Sequence, residues 1–230
     1  MKTEAMIVVP LLLATYLVLY VATKLFQKSK GFPLLHPLIT ASLTLIATLS
    51  VIGVSTQTYV QSTQVLVYLL GPATVALGVP LYNNFNRLLV YKRQLLLPLV
   101  IGALASPICA IALLAAFDVE PVILQSMVSK AITSPIAIDI TELLQGIPAI
   151  AVLFVLLSGI TGAAFATSLF SALKIKSDIS KGVAIGVSAH AIGTARAVQI
   201  SEECAAFSVI AMCLNGVTTA IIVVIYVNLI

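Results

Sequence analysis

Charge is what this 230-residue chain has least of: 8 Asp and Glu with 12 Lys and Arg, 9% of the residues, where soluble domains carry roughly 25%. At 60% hydrophobic and a mean hydropathy of +1.16, it reads as an integral membrane protein. Strand-type alternation is missing too, which excludes a bilayer barrel. There is no Trp, so interface anchoring falls to Tyr16, Tyr20, Tyr68, Tyr82 and Tyr226, unless these pack within apolar helices. The three cysteines, Cys109, Cys204 and Cys213, lack metal-ligand spacing and read as packing residues. No nucleophile elbow, phosphate-binding loop or paired His/Cys cluster occurs, so neither catalysis nor a cofactor is expected. The net charge of +4 comes from Lys and Arg at segment ends, a pattern that sets topology and argues against nucleic acid.

What is present is a series of apolar segments. Charge-free stretches run over Ala5–Thr23, Gln94–Phe117, Leu143–Leu173 and Cys204–Ile230, each near or above the ~20 residues of a spanning helix. Between Gly31 and Asn86 there is again no charge, and the polar run Ser55–Gln64 divides that interval into helices of about Leu34–Val54 and Val65–Leu81. Lys2 precedes a first apolar stretch too long for a signal peptide and without an A-x-A-like site, so it reads as a retained helix.

An internal echo organises the rest. AITSPIAIDITE (Ala131–Glu142) returns as AIGTARAVQISE (Ala191–Glu202), and LSGITGA (Leu157–Ala163) as LNGVTTA (Leu214–Ala220); 9 of these 19 positions are identical. Duplicated units broken by Gly, Pro and polar residues in corresponding places point to a transporter's binding site. Basic residues cluster at Lys24, Lys28 and Lys30, at Arg87, Lys92 and Arg93, and at Lys174, Lys176 and Lys181. Placing all three clusters in the cytoplasm puts the N-terminus outside and requires the segment from Pro121 to Ile140 to be re-entrant. Gly182 to Gln199 then dips in from the opposite face. The expected fold is all-α: about six transmembrane helices plus two re-entrant or broken helical segments forming an inverted repeat around a polar cavity. One membrane domain is expected, with residues 1–117 as scaffold, 118–175 as the first repeat and 176–230 as the second.

Arg196 is the sharpest candidate for substrate binding, since a guanidinium in a re-entrant segment offers a fork to a carboxylate; an ion pair with Asp139 or Glu142 is the alternative. Lys130 is a second positive contact, a partner for Asp139, or a snorkelling end residue. Thr133, Ser134 and Thr194 precede short half-helices where hydroxyls and free N–H groups hold an anion or cap the helix. Pro135 and Gly193 interrupt the two repeats at nearly the same place. His190 relays a proton, orients substrate or simply packs. Asn215 and Ser158 occupy matched positions that face the cavity or glue helices together. Asp139, Glu142 and Glu202 are candidates for a coupling proton or sodium ion.

The second repeat, GVSAHAIGTARA (Gly186–Ala197) followed by SEECAAFSVIAMCLNG, resembles the signature of the LrgB/CidB family. PLLHPL (Pro33–Leu38), GPATVALGVPLYNN (Gly71–Asn84), SKAITSPIAIDI (Ser129–Ile140) and GIPAIAVLFVLLSGITGA (Gly146–Ala163) agree in order. Departures are Ser188 and Ala189 before the histidine, where the family usually reads Ala-Ser, and the stretch Ser129–Ser134. The resemblance implies either antiholin-like control of murein hydrolases and lysis, or translocation of glycolate, glycerate or pyruvate. It also implies that an LrgA/CidA-type partner would be a separate polypeptide.

The reading expected from these residues is a secondary transporter of small 2-hydroxy or 2-oxo monocarboxylates in a bacterial inner membrane. The two re-entrant tips would meet near the midplane on Arg196, with Ser134 and Thr194 completing the site. Gly71, Pro72 and Pro80 would break the third helix, and a homo-oligomer, a dimer by analogy, would form. The alternative is a holin-like pore or lysis regulator.

Overall fold

The computed structural model describes residues 2–29, 32 and 35–229. Lys30, Gly31, Pro33 and Leu34, with the basic position and motif start read there, lie outside the described residues, as do Met1 and Ile230. Two compact bodies are present, residues 1–73 and 74–230.

In the first body, α1 (Lys2–Lys28) packs on α2 (Pro37–Val51) and α3 (Thr56–Ser62). Apolar side chains run round most of α1, as in a segment surrounded by lipid. Pro37 opens α2, and its N-cap His36 meets Phe26 edge-on at 5.5 Å. Gly53, at φ 72°, follows the C-cap of α2, and the chain turns by 116° into α3. Tyr59 hydroxyl bonds Thr15 at 2.9 Å and ties α3 to α1. The charge-free segment that follows is broken into α4 (Gln64–Tyr68), α5 (Leu70–Ala76) and α6 (Gly78–Asn83). The expected interruption by Gly71, Pro72 and Pro80 is present as breaks at Leu69 and Leu77, each some residues ahead of the proline whose ring and missing N–H oppose a continuous helix.

The second body is built on α7 (Phe85–Ala115), α10 (Pro148–Ala172) and α12 (Glu202–Leu229). Among the described residues of the whole chain, five helical segments are long and apolar enough to cross a membrane when Gln64–Asn83 is taken as one, or six if the bent α2–α3 pair also counts as one. The apolar stretch of α12 is 50% buried, against 17% for α7 and 28% for α10, so α12 is the central post of this body. Leu95, Leu99, Val183, Phe207, Ile210 and Ala211 form a core joining α7, α11 (Asp178–Ala197) and α12. No strand occurs among the described residues. The protein is an all-α membrane protein.

Both re-entrant segments are hairpins. In the first, α8 (Pro121–Met127) leads in and α9 (Ser134–Leu143) leads back. Ser129 and Thr141 hydroxyls bond at 2.9 Å, and Ser126 Oγ accepts from the Ile147 N–H at 2.8 Å, so the arms lie side by side and close at one base. In the second, α11 is broken at His190, whose φ of 40° and ψ of −132° end one arm and begin another. A Cβ added to Gly193 would stand 2.7 Å from Ile185 Cγ2, eight residues back, which a straight helix would hold about 12 Å away. The chain has therefore folded over on itself, and Gly182 near its start lies so close to the residues after its end that an added Cβ would stand 3.0 Å from Phe207 Cβ.

The hairpins enter from opposite ends of α10. The first closes at Ile147, beside Pro148. The second packs Ala197 and Cys204 against Ala166 and Phe170, near the other end of α10. The inverted repeat is thus present as two opposed hairpins flanking one helix.

Candidate functional site

The two apices meet at the middle of α10 and α12. Ser158 Oγ donates to the Lys130 carbonyl at 2.6 Å, and His190 Nε2–H donates to the Val155 carbonyl at 2.9 Å, so both tips fasten to one turn of α10. Gly159 makes this possible: a Cβ there would lie 2.6 Å from His190 Cε1. Asn215, buried on α12, donates through Nδ2 to the Ala131 carbonyl at 2.9 Å and to the Val187 carbonyl at 3.3 Å. One amide therefore holds both hairpins. The backbone carbonyls that the tips expose are met by side chains, as irregular backbone at membrane depth requires.

The candidate residues divide by place. Lys130, Thr133, Ser134 and His190 stand at the apices, with Asn215 between them. Lys130 is half-buried, and no acidic side chain pairs with it among the described residues. Thr133 is the N-cap of α9 yet makes no capping bond; its Oγ1 and Asn215 Oδ1 are the buried side-chain polar atoms without a partner among the described residues. Thr194 is already engaged, donating to the His190 carbonyl at 2.8 Å and bonding Ser208 at 2.8 Å. His190 is a tie rather than an open site, its ring spent on Val155 and wedged at Gly159.

Arg196 lies elsewhere. It stands six residues past the apex, close to the base of the second hairpin, half-buried, with its guanidinium on the Gln199 side chain. The tips converge on Asn215 and Ser158, not on Arg196 as expected, because the returning arm has run most of its length before reaching it. The alternative pairing with Asp139 or Glu142 is not made either. Asp139, Glu142 and Glu202 are exposed, towards the two hairpin bases rather than the apices. At the second base, the Lys181 ammonium donates to Asp178 at 2.7 Å and holds its carboxyl below the usual range, with Ser201 adding to the effect.

Sequence reasoning missed Val155, whose part is played by a backbone carbonyl, and Ser208, Ser129 and Thr141, small hydroxyls in apolar helices. Spacing gave no signal for Ser129 and Thr141 either, since one stands a single residue before Lys130 and the other eleven after it. A cavity of about 290 Å³ lies between α7 and the inbound arm of α11, lined by Tyr91, Gln94, Ser180 and Val187 among others. It leads from near the hairpin base to the residue whose carbonyl Asn215 holds.

Two opposed re-entrant hairpins clasped by spanning helices, with unmet polar atoms at the clasp, define an inverted-repeat membrane protein with a central polar site. A profile of the LrgB-like family matches residues 15–229, and the chain belongs to that family. It is similar to the antiholin-like protein LrgB of Bacillus cereus (strains B4264 and AH187) and of Bacillus anthracis (strain A0248). Each is 32% identical over 203 residues, covering 88% of this chain and 88% of theirs. No solved structure matches the chain significantly.

Proposed function

We propose that this chain is an antiholin-like protein of a bacterial cell membrane, modulating murein hydrolase export and lysis together with a separate LrgA/CidA-type partner. The observation that carries this is the 32% identity, over 88% of each chain, to Bacillus proteins bearing that name. A cell strain lacking its own homologue tests it. Expression of this chain with such a partner is expected to change the onset of lysis, followed by optical density and release of a cytoplasmic dye. An unaltered lysis course, with both proteins in the membrane, overturns it.

A second reading is favoured by the opposed hairpins: secondary transport of small 2-hydroxy or 2-oxo monocarboxylates of the glycolate, glycerate or pyruvate type, by alternating access. A pore made of aggregated helices needs no such core, whereas a carrier needs a site reachable from either end. In this reading Lys130 at the apex supplies the charge that meets the carboxylate, with Thr133, Ser134 and Asn215 beside it, and Arg196 attracts the anion near the hairpin base. Asp139, Glu142 or Glu202 would carry a coupling ion, and a dimer would hold the scaffold still. Proteoliposomes are expected to take up labelled substrate saturably, with Lys130→Ala lowering uptake at least tenfold and Arg196→Ala by less. Non-saturating leakage of unrelated solutes would sink this reading.

A further inference from the structure

Away from the hairpin tips, a cavity of about 390 Å³ lies where the end of α10 meets the base of the second hairpin. Lys174, Lys176 and Lys181 line it, with the Thr167 and Ser171 hydroxyls and an apolar floor that includes Phe170, and no carboxylate is among the lining residues. Lys181 donates one N–H to Asp178 at 2.7 Å and has two more to give. Lys174 and Lys176 are exposed and have no acidic partner among the described residues, Glu202 and Glu203 at the start of α12 included. Neither hydroxyl is hydrogen-bonded among the described residues, whereas Thr161, earlier on the same helix, bonds the Leu157 carbonyl at 2.7 Å.

The backbone gives an independent sign. After α10 the Ile175 N–H donates to the Phe170 carbonyl at 2.9 Å and the Lys174 N–H to the Ser171 carbonyl at 3.1 Å, which is a Schellman turn. Lys174 thus sits at φ 54°, the left-handed place that glycine usually fills. What a lysine adds there, at the expense of backbone strain, is positive charge at the rim of the cavity. Three ammonium groups and two hydroxyls suit a phosphate. The level of the site selects its source: α10 ends at Ala172, and Phe165, Leu169 and Leu173 beside that end are exposed as in lipid, so the lysines stand at headgroup depth. A headgroup with an amine of its own would set a cation against them.

We propose that this cavity holds the phosphate of an anionic phospholipid, which bridges the end of α10 and the base of the second hairpin. Lys174 and Lys176 reach it from the connection after α10, and Lys181 from the inbound arm of α11. The site is separate from the substrate-binding candidates and holds under either reading of the function.

Full-length protein is to be reconstituted in phosphatidylcholine alone, with added phosphatidylglycerol, or with inorganic phosphate in its place, and the melting temperature and co-purifying lipid measured. Wild type is expected to melt about 2–4 °C higher with phosphatidylglycerol and to retain it in preference to phosphatidylcholine. Lys174→Gly, which relieves the backbone, should raise the melting temperature in phosphatidylcholine and shrink that increment. Lys174→Gln combined with Lys176→Gln should lower phosphatidylglycerol retention about tenfold or more. Lys92→Gln combined with Arg93→Gln, at a basic connection outside this cavity, should leave both readouts in place. No increment in wild type, or one that the Lys174 and Lys176 variants keep, overturns the proposal. An increment that the Lys92 and Arg93 changes remove equally marks surface charge alone and overturns it too. Equal stabilisation by inorganic phosphate makes the ligand a soluble anion and overturns the lipid assignment.

Discussion

A histidine at φ 40° is a strained residue, and it persists because two neighbours leave it no alternative. His190 donates to Val155 and fills the space that Gly159 leaves open. Gly159→Ala is therefore expected to push the ring off its carbonyl and to destabilise the protein by about 1–3 kcal/mol, read as a lower melting temperature. The echo in the sequence brings Ser158, Gly159, Asn215 and Gly216 forward as matched pairs, and they do stand at the centre. The roles were not legible, because the acceptors they serve are backbone carbonyls, which every residue possesses. Arg196 drew attention through its charge, yet charge alone does not say how far along a hairpin a side chain stands.

Each hairpin is a short element that a lone helix propensity would not hold together. Ser126 Oγ accepts from Ile147 and donates to Val122, closing the first base. Ser126→Ala is expected to cost about 1–2 kcal/mol, seen as a lowered melting temperature. The second base depends on Asp178, whose carboxyl is held low first by Lys181 and then by Ser201. A depressed carboxyl contributes stability above its unfolded value, about 3.9, and loses it as pH falls through the lower folded value. Asp178→Asn is thus expected to melt below wild type at neutral pH, with the difference closing at acidic pH. Re-entrance itself was legible from the positions of the lysines, which forbid a full crossing by either segment. The break at His190 was not, since no proline or glycine marks that residue.

At the scale of the molecule, the opposed hairpins predict a labelling pattern. In a background without Cys109, Cys204 and Cys213, single cysteines at Glu120 and Gln145 should react with an impermeant thiol reagent from one face of the membrane. Cysteines at Ser177 and Glu203 should react from the other. Labelling of Glu120 and Gln145 from different faces would show the first segment threading through the bilayer. The number of long apolar segments was legible because bilayer thickness dictates their length. The fragmentation of residues 64–83 was legible only as a susceptibility at Gly71, Pro72 and Pro80.

The double hold of Asn215 has a mechanical consequence. In the transport reading, rocking one repeat past the other must break one of its two bonds. The Thr194–Ser208 bond at 2.8 Å and the packing of Val183 on Phe207, Ile210 and Ala211 bind α12 to the second hairpin. The link to Ala131 is then the one that parts, and α12 travels with the second hairpin while the first swings free.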